Sequence, residues 1–128
     1  MLWFLVGLWM SFIFVLSSQP DLSTDTQGGA GPRNMAKAAQ AGLYFALGLL
    51  VGLTLAVSRA RRPGWWTFVV VALYAISDEA YQAFVPNRGP SVADIALDVL
   101  SGLSGLSCVV AVLWINAKLR SRVNQDRA

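Results

Sequence analysis

The chain of 128 residues has no histidine, one cysteine and only 13% charged residues. The first absence excludes imidazole proton transfer and histidine metal ligation. The second excludes an internal disulfide, and Cys108, set inside an apolar run, reads as a small buried apolar side chain. Scarcity of charge is matched by 55% apolar residues, gathered in long runs instead of amphipathic stripes, so hydrocarbon is the expected solvent. The net charge of +3 is modest and the basic residues sit at segment ends. That placement argues against nucleic acid as a partner and for anionic lipid headgroups as neighbours.

Four apolar segments are predicted as helices, over residues 2–18, 37–58, 65–85 and 92–116. The first has no positively charged start of the kind a signal peptide carries, and with its flanks it reaches the roughly 17–25 residues that a span needs. Residues 19–36 are polar, contain Pro20, Gly28, Gly29, Gly31 and Pro32, and are expected to form a mobile loop. The second segment is marked by Gly42, Ala46, Gly48 and Gly52, small residues that allow close helix packing. Arg59, Arg61, Arg62, Pro63 and Gly64 form a basic turn, and Trp65 and Trp66 open the third segment where an aromatic belt is expected. The fold class is therefore an all-α membrane protein, a compact bundle of four transmembrane helices forming one domain over residues 1–128.

Orientation follows from the cations. With both termini cytoplasmic, Arg59, Arg61, Arg62, Lys118, Arg120, Arg122 and Arg127 lie inside, and Arg33, Lys37 and Arg88 outside. The expected location is the plasma membrane, with the turn before the fourth helix facing outward.

Residues 77–98 carry the unusual charge. Asp78, Glu79, Arg88, Asp94 and Asp98 lie next to or within apolar segments. A carboxylate at the centre of a span disfavours insertion by roughly 3 kcal/mol, so such a cluster points to mutual pairing and a site. Asp94 and Asp98 share a helix face with Ser101 and Gly105, and Lys37, Gln40, Tyr44 and Gly48 share another. Tyr44 and Asp78 are placed at similar depth, roughly 10 Å below the outer boundary. Simpler roles compete at two positions: Asp94 caps its helix with Ser91 as a capping box, and Arg88 is a solvated turn residue. Asp98 resists such a reading, being roughly 9 Å into its helix from Val92.

At these residues the chain resembles the VanZ-like family of small integral membrane proteins. The pattern is Asp78, Glu79, Gln82, Phe84, Val85, Pro86 and Arg88, then Asp94, then Asp98, Ser101 and Gly102. It extends to Phe14, Ser17, Ser18, Gln19 and Pro20, and to Lys37, Gln40, Tyr44, Leu47 and Gly48. Where relatives often carry a histidine this chain has Gln40, which hydrogen-bonds but does not transfer protons. The family is named for a protein linked to low-level resistance to the glycopeptide teicoplanin, and its biochemical activity is not settled.

Three readings use these residues. In the favoured one, an outward-facing pocket binds the headgroup of a membrane lipid or lipid-linked cell-envelope precursor: Arg88 and Lys37 hold phosphate or carboxylate, and Gln40, Tyr44, Gln82 and Asp94 complete the binding set. In the second, the protein is an enzyme acting on a lipid headgroup, with Asp78, Glu79 and Asp98 as catalytic carboxylates. No cofactor is expected; a divalent cation on the carboxylates belongs to this second reading and has no specific motif behind it. In the third, the carboxylates relay protons in a small transporter, which the lack of ionisable residues in the inner halves of the helices disfavours.

Overall fold

A computed structural model describes residues 1–19, 30–85 and 89–125, the side chains of 30–33 excepted. Among the described residues there are four α-helices and no strand: α1 (Leu2–Ser17), α2 (Ala30–Val57), α3 (Pro63–Gln82) and α4 (Val92–Gln125). Residues 34–57 of α2, and α4, are long and apolar enough to cross a membrane. α1 is a shorter apolar helix.

Helix limits differ from the sequence reading in three places. α2 begins at Ala30, so part of the expected loop is helical. Pro32 falls in its first turn, where a missing N–H costs nothing, and Met35, Ala36, Lys37, Ala38 and Ala39 are good helix formers. The rest of the expected mobile loop, residues 20–29, lies outside the described residues. α3 stops at Gln82, and Phe84 and Val85 donate to Tyr81 and Gln82 in tighter turns. Pro86 accounts for this, because the residue before a proline is driven out of the helical region. α4 runs to Gln125 because residues 116–125 contain neither glycine nor proline; its 34 residues make it about 51 Å long.

The α2 and α4 helices run in the same direction and share the most extensive contact among the described helices. Gly48 and Gly105 make it possible. A Cβ at Gly48 would strike the carbonyl of Gly102, and one at Gly105 would strike the carbonyl of Phe45 and come within 2.9 Å of the Leu49 nitrogen. Close backbone approach of this kind is how helices gain packing energy where no hydrophobic effect drives them together. Gly42, by contrast, faces open space and takes no part. The buried face of α4 is Asp98, Gly102, Gly105 and Val109, with Ser101 at its edge bonded to its own helix at Leu97.

The main cluster of buried apolar residues comes from the other three helices, Val6 and Ile13 of α1, Tyr44, Leu47, Val51 and Leu55 of α2, and Val71 and Ala75 of α3, with Ile95 and Val99 of α4 packed against it. Cys108 is a correction to the sequence reading. It is exposed on α4, because an apolar run in hydrocarbon does not distinguish an inward from an outward face.

At the opposite end from Asp78, α2 closes in a Schellman motif. The Ala60 N–H donates to Leu55 O and the Arg59 N–H to Ala56 O, with Arg59 left-handed at φ 53°. Arg62, which caps α3, is left-handed too, at φ 58°.

Candidate functional site

Polar side chains from all four helices meet at one end of the bundle. Asp78, on the buried face of α3, accepts hydrogen bonds at Oδ2 from Ser17 Oγ at the end of α1 (2.8 Å), from Gln82 Nε2 one turn on (3.3 Å) and from the Tyr44 hydroxyl of α2 (3.4 Å). The spacing explains the convergence. Asp78 and Gln82 are four residues apart and share a helix face, while Ser17 is brought in because α1 packs against α3 through Phe14 and Tyr81, whose ring centroids are 4.7 Å apart. Tyr44 and Asp78 stand at the common depth expected of them.

Glu79 points elsewhere, as adjacent residues on a helix must. Its Oε1 accepts the backbone N–H of Ser91 at 2.5 Å and so ties the end of α3 to the start of α4. This corrects the capping-box expectation. Ser91 Oγ does accept the Asp94 N–H (3.2 Å), but the reciprocal half of the box is taken by Glu79. The Asp94 carboxylate is thereby released to Lys37, whose Nζ lies 2.5 Å from Oδ1. Lys37 pairs with Asp94, not with the deeper carboxylates.

One turn further in, Gln40 Nε2 donates to Asp98 Oδ2 at 2.8 Å. Asp98 is 2% exposed, as are Glu79 at 2% and Asp78 at 3%. Lys37, Gln40, Tyr44 and Gly48 therefore meet Asp94, Asp98, Asp78 and Gly102, respectively. Burying charge is expensive unless neighbours supply hydrogen bonds, and neutral amide and hydroxyl donors do so here. Beneath the cluster, the Tyr74 hydroxyl donates to Met10 O and Trp9 Nε1 to Leu43 O, pinning α1 to α3 and α2.

Of the residues chosen from sequence, Lys37, Gln40, Tyr44, Asp78, Glu79, Gln82, Asp94 and Asp98 are thus brought together. Arg88 lies outside the described residues. Two participants were missed as site residues, Ser17 and Ser91. Each is a small hydroxyl residue at a helix boundary, and the family pattern already held Ser17. Among the described residues no three carboxylates converge as ligands of one metal ion would.

No curated protein and no solved structure matches the chain. The family model described as VanZ/LLP1 matches residues 2–115, a stretch that contains every residue of the polar cluster. With two helices able to cross a bilayer and a match over nearly its whole length, the chain is a membrane protein that belongs to the VanZ/LLP1 family.

Proposed function

We propose that this is a plasma-membrane protein of four spans, both termini cytoplasmic, whose outer end binds the headgroup of a lipid or lipid-linked cell-envelope intermediate. The observation that carries the reading is the buried cluster around Asp78 and Asp98, to which every helix contributes. Intramembrane carboxylates are costly, and a fold that needed only packing would be served as well by apolar residues of similar volume.

The exterior supports four spans. Trp3, Phe4, Leu8 and Phe12 of α1, and Leu73 and Ile76 of α3, are exposed large apolar side chains, suited to hydrocarbon contact. α3, with 20 residues, is about 30 Å long, and α1, with 16, is about 24 Å before its flanks are added. The basic residues of the α2–α3 turn and the end of α4 set the orientation.

In this reading Lys37, half-exposed at the rim, and Arg88 meet the ligand's phosphate or carboxylate, while Gln40, Tyr44 and Gln82 offer neutral hydrogen bonds to its polar groups. Native mass spectrometry of protein purified in neutral detergent is the test. Wild-type protein is expected to carry one more phosphate-containing lipid adduct than Gln82→Ala. Equal numbers of adducts on the two proteins, or none on either, would overturn the reading.

A further inference from the structure

Charge is segregated along this bundle. At the end away from Asp78, the described residues Arg59, Arg61, Arg62, Lys118, Arg120 and Arg122 are all exposed, and none forms an ion pair with a described carboxylate. The sequence has no Asp or Glu from residue 59 to 77, or from 99 to 125. Among the described residues these six cations have no carboxylate partner, and three tryptophans, Trp65, Trp66 and Trp114, stand exposed among them.

The backbone makes this arrangement more than a boundary bias. Arg59 and Arg62 both hold left-handed φ values, 53° and 58°, positions where glycine is the default and a side chain costs stability. Such outliers persist when something else requires the side chain. An apolar groove of about 360 Å³ lies on α4 nearby, lined by Leu106, Ser107, Val110, Ala111 and Trp114. It starts beside the turn, since Leu106 Cδ2 would lie 3.9 Å from a Cβ on Gly64. It ends at Trp114, over whose ring Lys118 Nζ sits 4.9 Å from the centroid.

We infer that this end holds an anionic phospholipid: the phosphate among the guanidinium groups of the 59–62 turn and Lys118, one acyl chain in the groove between Leu106 and Trp114. The occupant is a lipid and not a soluble phosphate because cations, interfacial tryptophans and an apolar groove are continuous, matching a headgroup with a chain attached. This site is separate from the polar cluster and stands whether or not that cluster binds a ligand.

The test is tryptophan quenching in the full-length protein reconstituted into phosphatidylcholine vesicles, with either phosphatidylcholine or phosphatidylglycerol brominated on its chains. Wild-type protein is expected to be quenched preferentially by the brominated phosphatidylglycerol. In Arg59→Gly/Arg62→Gly the preference falls several-fold, each lost guanidinium counting for up to about fivefold. Thermal stability of the same variant holds or rises, because glycine suits both backbone positions. Arg61→Gln, at an ordinary backbone position, gives a smaller loss of preference without altering the turn. Equal quenching of wild type by both lipids, or an undiminished preference in both variants, would overturn the site.

Discussion

The two ends of the bundle handle charge in opposite ways. At the Asp78 end, the carboxylates of Asp78, Glu79 and Asp98 are buried, set among four helices and held by directional hydrogen bonds of 2.5–3.4 Å. At the Arg59 end the described charges are exposed, of one sign, and carried by a turn and by a helix that runs on past its partners. Buried charge with fixed donors can discriminate one ligand from another, whereas exposed cations select only for opposite charge. On the proposed readings, recognition belongs to the first end and lipid anchoring to the second.

The largest expected effect falls on the α2–α4 contact that holds the first end together. Gly48→Leu forces a side chain into the Gly102 backbone and separates α2 from α4, taking Lys37 from Asp94 and Gln40 from Asp98. Overpacking costs about 1–3 kcal/mol when side chains yield, and backbone yields less, so a loss above about 3 kcal/mol is expected in detergent thermal unfolding. Gly64→Ala, near the other end, meets Leu106 at an ordinary 3.9 Å and should stay within about 0.5 kcal/mol of wild type. Comparable losses for both variants would erase the distinction.

A smaller effect sharpens the comparison. Ser17→Ala removes a 2.8 Å donor from buried Asp78 and should cost about 1–2 kcal/mol. Ser107→Ala, whose hydroxyl only bonds back to Leu103 on the exposed side of α4, should change stability by less than about 0.5 kcal/mol. Denaturation of the two proteins side by side checks the difference.

Within the polar cluster, Lys37→Ala should have the least effect on stability. Its ion pair with Asp94 is short, but the side chains are 53% and 25% exposed, and exposed pairs contribute about 0.2–1 kcal/mol. A larger loss would mean that the rim is part of the buried network instead of its open edge.

Much of this was legible in the chain because helical spacing is a strong constraint. Lys37, Gln40, Tyr44 and Gly48 are three or four residues apart, so they had to share a face, and each meets a partner on α3 or α4. Gly48 and Gly52 announced a close helix contact for the same reason. Pairing across helices was less legible, since it depends on register. Asp94 looked like half of a capping box, and only the approach of Glu79 to the Ser91 N–H releases it to Lys37. Ser17 entered the site through the packing of α1 on α3, which a short apolar helix does not specify. The left-handed Arg59 and Arg62 gave no signal, because glycine is the residue by which such positions are usually found.

Whether the buried carboxylates serve a ligand or only the packing is decided at Asp98. Asp98→Asn keeps an oxygen to accept from Gln40 while removing a charge that is 2% exposed, so the penalty of burying that charge is relieved. Thermal midpoint and co-purifying lipid are measured on the same sample. The expected result is a midpoint equal to or a few degrees above wild type together with one lipid adduct fewer, the trade expected at a site that gives up stability for binding. A lower midpoint with the number of adducts unchanged would show that Asp98 holds the helices together and nothing more.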